Sequence, residues 1–380
     1  MLVVAASGQD PPNGKWREMH KYIATTFELE SGSKKTSVRA FGIDTIRFIA
    51  ALFVFFFHGG APTLPSLLRS PLIDNITYSA FNGIGAVVVF FIISGFCIHY
   101  PFINAEKLQV IPFYVRRLIR IGAPMVACMG VLYIADAECS LATTEKFWRR
   151  PYFFGITSIS WSLICEIAYY FMYPVIYLLM RWVGVRIVLV ASLLLSVTLV
   201  IINGWKVYFW QYDIVTMSLV GLPYWLTGCF LAETWRGKYS SKGVMLVLTV
   251  LVYLYLVVVL YIWKFGGYGL AQPIVYMPFA FLVYWWLQYA LRSKTVSKLF
   301  ILEWFGTWSY SLYLTHKPLI TAYLQYIAPL TGDYFVLKAA SVLGGAWLFA
   351  WAVEWPSHKL ASSAARHAFS NASPRVSGLR

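Results

Sequence analysis

From residue 42 onward the chain alternates between long apolar runs and short polar, mostly basic stretches. Apolar runs lie at about 42–60, 82–101, 119–136, 158–180, 186–203, 214–233, 243–263 and 271–290. A further run begins near Trp304, and the last covers about 334–354. Each approaches the roughly 20 residues that a helix needs to cross a hydrocarbon core. The pattern therefore predicts an all-α polytopic membrane protein with about ten transmembrane helices. Residues 1–40 are polar and mixed in charge, with Pro11, Pro12 and Gly14, and lack the apolar stretch of a signal peptide. They are expected to form a cytoplasmic segment, part surface helix and part disordered. Residues 41–357 are expected to form the transmembrane domain and 358–380 a cytoplasmic basic tail.

Composition agrees with the pattern. Hydrophobic residues make up 59% and charged residues 12%, and the mean hydropathy is +0.64, which excludes an ordinary soluble domain. The net charge of +15 does not imply nucleic acid, because the basic residues fall in alternate loops. Eight of the 31 lie in outer loops or in the outward half of the ninth span: Arg69, Lys146, Arg149, Arg150, Lys206, Lys264, Lys317 and Lys338. The other 23 lie at the inner side, which places both termini in the cytoplasm. Cys97, Cys128, Cys165 and Cys229 fall in apolar runs and Cys139 in a loop. This scatter makes neither a disulfide framework nor a metal site. Asn75-Ile76-Thr77 has the form of a glycosylation sequon, which has meaning only in a eukaryotic secretory context.

Ionisable residues inside a span are costly and mark functional positions. The first span, Ile43–Gly60, carries Arg47 and His58. Eleven residues at 100° each come to three turns plus about 20°, so the two share a helix face roughly 16 Å apart along the axis. Glu166 is the second intramembrane charge, and His316 and Lys317 precede Pro318 in the ninth span, where the proline should kink the helix. Arg116, Arg117 and Arg120 cluster directly before the third span. They read either as a positive-inside anchor or as a phosphate clamp, with guanidinium forks and free N–H groups at a helix start.

Several segments share a pattern. Arg47 and His58 are separated by ten residues. Phe90–Phe96 reads FFIISGF, Trp161–Glu166 reads WSLICE with Tyr173-Pro174 beyond it, Gly306–His316 reads GTWSYSLYLTH, and Val353–Pro356 reads VEWP. In this order, over about residues 41–357, the chain resembles the membrane-bound acyltransferase-3 family, O-acyltransferases of surface or secreted glycans. Ile164, Cys165 and Thr315 are small departures from the family's segments. The resemblance implies transfer of an acyl group, acetyl as the expected one, from cytoplasmic acyl-CoA (acetyl-CoA) to a carbohydrate or glycolipid acceptor. It also implies a bacterial inner-membrane setting beside glycan-synthesis machinery, and no metal.

Such chemistry needs a base, a cation for the oxyanion and a thiol exit. His58 is the expected base or acyl carrier, with Glu166 orienting it or supplying a second proton site. Arg47, Arg116, Arg117 and Arg120 are expected to bind the donor, and Trp161, Ser162, Tyr310 and His316 the acceptor. A competing reading is a transporter or flippase whose Arg47, His58, Glu166 and His316 form a proton relay. No inverted repeat supports it.

Overall fold

The computed structural model describes residues 42–60, 71–105, 108–139, 161–235, 242–265, 269–291 and 300–372. The N-terminal segment 1–40 lies outside them, as do Pro62, Pro65 and Arg69, the loop residues Glu145, Lys146, Arg149 and Arg150, and the end of the tail from 373. So do Arg236, Lys238, Gly266, Gly267, Arg292, Lys294 and Lys298.

The described residues are helical throughout and contain no strand. Six helices are long and apolar enough to cross a membrane: Gly83–Phe102, Trp161–Val183, Val185–Ile202, Ile214–Thr234, Gly243–Trp263 and Phe335–Ala365. The other four expected spans are helical over their ranges; three are shorter or interrupted, and Gln272–Ala290, with 19 residues, is unbroken but less apolar. Helix α1, Ile43–Gly59, has 17 residues. A short helix α2, Pro71–Ser79, leads to α3, Gly83–His99. The third span is built from α4, Val110–Arg117, a π turn at Leu118–Gly122 and α5, Ala123–Cys139. Then come α6, Trp161–Val183, α7, Val185–Ile202, α8, Ile214–Thr234, α9, Lys242–Phe265, and α10, Gln272–Ala290. The ninth span is split into α11, Phe300–Gly306, and α12, Ser309–Ala322. After a π turn at Tyr323–Ile327 and the single turn α13, Ala328–Thr331, helix α14 covers Phe335–Phe349. A second π turn at Ala350–Glu354 joins it to α15, Trp355–Ala372. The expected tail therefore begins inside a helix, which packs on α4.

Sequence decides which helices are inside. Over their apolar windows α3 is 78% and α8 72% buried, against 28% for α7 and 17% for α9. The outer pair exposes Ile187, Leu194, Leu246, Val247 and Leu254, which suits a lipid solvent. Helices α3 and α8 cross at Gly95 and Gly228. A Cβ on Gly95 would run into the Trp225 carbonyl, and one on Gly228 into the Ile92 carbonyl. Small residues let membrane helices approach this closely, and dispersion then holds them. Asp213 caps α8 by accepting from the backbone N–H groups of Val215 and Thr216 at 3.1 and 3.0 Å. Bonds from Thr216 hold its carboxyl below the ordinary carboxylate range.

Two apolar clusters result. The larger joins α3, α6, α8 and α10. The smaller gathers Trp308, Leu312, Ile320, Val342 and Ala346 from the two end spans. Helix α1 belongs to both.

The α3–α8 crossing generates a test. Gly228→Ala should cost about 1–3 kcal/mol by overpacking against backbone, seen as a lower Tm in detergent. Gly344→Ala, whose Cβ would meet nothing within 4 Å, should leave Tm unchanged. Equal Tm values for the two variants would remove the close-crossing argument.

Candidate functional site

Helix α1 has two apolar faces. Ile43, Ile46, Ala50 and Val54 enter the larger cluster, and Phe48, Ala51 and Phe55 the smaller. At 100° per residue the two faces are about 120° apart. Arg47 and His58 fall between them on the same wheel, so both look into the seam where the two clusters meet. The N-terminus of α1 is fixed by Glu303, whose carboxylate accepts from the Gly42 N–H at 2.5 Å. Gly42 has φ +92°, a left-handed conformation that glycine adopts without a steric penalty.

At one end of the seam two histidines meet. His58 Nδ1 lies 3.0 Å from the Val54 carbonyl and 3.2 Å from His316 Nε2. His316 Nδ1 lies 2.6 Å from the Tyr313 carbonyl. A carbonyl only accepts, so both Nδ1 atoms carry the proton in the neutral rings. His316 Nε2 is then an acceptor, and the His58 Nδ1–H is shared between it and Val54. This leaves the lone pair on His58 Nε2, which has no partner among the described residues. His316 is 0% exposed, and its Nε2 meets His58. The lining continues through the Tyr313 ring beside His316 and its hydroxyl bond to Ser162. Trp161 is stacked on Phe209 at 4.5 Å and 9°.

The middle of the seam holds Glu166. Its carboxylate accepts from Tyr170 at 2.5 Å and from Ser94 at 2.8 Å, and Trp225 Nε1 donates to the same serine oxygen at 3.3 Å. At the far end, Arg47 reaches Asp44 at 3.6 Å and keeps 23% of its side chain exposed. The charges of Arg47 and Arg117 both act on Arg120, and all three act on the free thiol of Cys97. Glu354 lies in the same field, but its carboxylate is taken by the Ser311 N–H at 3.0 Å and the Ser311 hydroxyl. His358 stands 3.7 Å from its other oxygen. Glu166 and Glu354 are thus satisfied by hydroxyl and amide donors, and of the three guanidinium groups only Arg47 pairs with a carboxylate among the described residues, that of Asp44. Arg117 Nε is buried without a hydrogen-bond partner, and no carboxylate among the described residues lies within salt-bridge distance of Arg117 or Arg120. Such donors suit an anionic group.

Two expectations change. Arg116, Arg117 and Arg120 do not share a helix start. The helix begins at Val110, and the Leu118 N–H is already bonded to Tyr114 and Val115. The arginines therefore offer side chains without free backbone N–H groups. Glu166 is not hydrogen-bonded to His58. The side chain that meets His58 Nδ1 is His316, expected among the acceptor-binding residues. Tyr310, of that same group, donates its hydroxyl to the Ile121 carbonyl at 3.0 Å. Pro318 sits inside α12. The Leu314 carbonyl four residues before it faces the Cys128 thiol at 3.9 Å.

Missed by sequence reasoning were Ser94, Tyr313, Ser311 and Cys97. Ser94 and Tyr313 lie within the quoted segments, at the helical spacing that puts them on the site's face, which was the available signal.

A family model described as an acyltransferase domain matches residues 41–351. No curated protein and no solved structure matches.

The tautomer argument has a direct chemical check. Diethyl pyrocarbonate attacks an unprotonated, accessible imidazole nitrogen, so at neutral pH it should carbethoxylate His58 and spare His316. Peptide mass spectrometry reads the outcome. Preferential modification of His316 in the native protein would remove the arrangement.

Proposed function

We propose, from the premise that this chain belongs to the acyltransferase-3 family of membrane acyltransferases, that it moves an acetyl group from cytoplasmic acetyl-CoA to a hydroxyl of a carbohydrate acceptor. The chain is a multi-pass membrane protein. In this reading it has ten spans, lies in a bacterial inner membrane with both termini cytoplasmic, and serves glycan synthesis. The observation that carries the proposal is the polarity of the seam. A base with an open lone pair stands at one end, and at the other stand Arg117 and Arg120, with no carboxylate among the described residues within salt-bridge distance, beside Arg47, which reaches Asp44. The axial separation of Arg47 and His58 is roughly 16 Å, about the reach of a pantetheine arm.

The arginine end is assigned to the phosphates of the donor, which a planar fork binds in a way an ammonium does not. The thioester then lies toward His58. The acceptor hydroxyl gives its proton to His58 Nε2 as its oxygen forms a bond to the thioester carbonyl carbon. The C–S bond breaks, the sulfur takes the proton held on His58, and the products are an ester and free CoA. His316 keeps the His58 proton on Nδ1, so the basic nitrogen faces the substrate.

Purified protein given radiolabelled acetyl-CoA and a glycan acceptor should transfer label. His58→Ala should reduce the rate by about 10²–10⁴ with yield and Tm unchanged, and full activity in that variant would end the proposal. A membrane-impermeant maleimide should reach a cysteine placed at 270 and not one at 240 in intact cells. The reverse pattern inverts the orientation and puts the donor end outside.

The donor assignment has its own check. Arg117→Lys with Arg120→Lys keeps the charge and loses the fork. The apparent KM for acetyl-CoA should rise about tenfold, a loss near 1.4 kcal/mol. Acetyl-pantetheine, which has no nucleotide phosphates, should show little difference. Equal KM values for acetyl-CoA would move the donor site elsewhere.

A further inference from the structure

Lys338 is the unexplained charge. It lies in the first turn of α14 and is 8% exposed. Both facts oppose it, because burial disfavours an ammonium in a membrane protein and the positive end of a helix dipole repels one. A lysine kept only to mark the outer side of the membrane would extend into water. Instead Nζ points across to α1, where it donates to the Gly59 carbonyl at 3.1 Å. Asp333 pairs with it at 2.8 and 3.1 Å, and the Tyr323 ring lies 5.9 Å below it. Tyr323 is itself fixed by its hydroxyl to the Gly332 and Tyr334 carbonyls, at 3.1 and 3.2 Å.

Gly59 is the last residue of α1 and follows His58 directly. The last carbonyls of a helix have no intrahelical partner, and the dipole's negative end lies there. A cation at this place both occupies an orphan carbonyl and matches the dipole. The last turn also carries the Val54 and His316 bonds that orient the imidazole. We infer that Lys338 is a positioning residue for the acyl-transfer reaction: it clamps the C-terminal turn of α1 and so holds His58 against His316. This rests on the reading of His58 as the base.

The clamp and the chemistry are measured separately. Amide hydrogen exchange of the peptide covering 54–60 reads the last turn without any substrate. CoA release from radiolabelled acetyl-CoA, in membranes containing the native glycans, reads turnover. Lys338→Met should raise exchange in that peptide at least tenfold and lower kcat at least tenfold, with KM for acetyl-CoA within twofold of wild type. Lys338→Arg, which keeps the cation and its donors, should restore most of both. Asp333→Asn should raise exchange about threefold, and it stands in if Lys338→Met does not assemble. Wild-type exchange in Lys338→Met, or in Asp333→Asn where that variant stands in, overturns the clamp. Raised exchange with unchanged kcat overturns the positioning role. If wild-type protein itself releases no CoA from acetyl-CoA, the acyltransferase reading fails, while the exchange data still decide the clamp.

Discussion

The site depends on a geometric constraint: α1 must bury two apolar faces at once. A helix with one apolar stripe can lie on the outside of a bundle and send its polar side to a neighbour or to lipid. One with two stripes about 120° apart must be wedged between two packed bodies, and the narrow strip between the stripes becomes an enclosed seam. Ile46 and Val54 commit one side, and Phe48 and Phe55 the other. Arg47 and His58 have no other direction to face. The apolar residues thus aim the polar ones. The pinning of Gly42 by Glu303 adds axial register to that rotational setting, because it stops the helix from sliding along its own groove.

Electrostatics then divides the seam into regions of different character. Paired oppositely charged side chains would neutralise one another inside the bundle and leave little for a ligand. Here the carboxylates find hydroxyl and amide donors first: Glu166 takes Tyr170 and Ser94, and Glu354 takes Ser311 and approaches His358. Their negative charge still reaches Arg47 and Arg120 across a gap, which lowers the cost of burying those cations without occupying their N–H groups. Counter-charge at a distance and unoccupied donors on Arg117 and Arg120 suit an anionic group. Direct ion pairs would have made a structural staple of the same residues.

Much of this was legible in the chain. The apolar periods place helices where the structure has them, and the 11-residue spacing puts Arg47 and His58 on one face. Intramembrane position together with the family-like segments singled out Glu166 and His316. What the period cannot state is which face meets which. Nothing local to residue 58 points to residue 316, because that contact exists only after α1 and α12 pack on either side of the smaller cluster. Ser94 and Glu166 meet for a similar reason, across α3 and α6. The arginine cluster misled in a different way. The apolar run directly after Arg120 suggests a helix start, whereas the helix begins at Val110 with Pro112 in its first turn, a position where the missing N–H costs nothing. Lys338 counts as an outer lysine by position along the chain, and only the packing of α14 against α1 shows where its ammonium goes.

The choice of a histidine as the partner of His58, rather than a carboxylate, follows from the medium. A carboxylate at His58 Nδ1 would favour the imidazolium and bring a second buried charge to be desolvated. A neutral His316 gives the same directional acceptor through Nε2 with no net charge, and its own proton is fixed by the Tyr313 carbonyl. Because Tyr313 also bonds Ser162 of α6, the tautomer of His58 is tied to the packing of three helices. In water either partner would serve. Inside an apolar bundle, the neutral one adds no second charge to be desolvated beside His58.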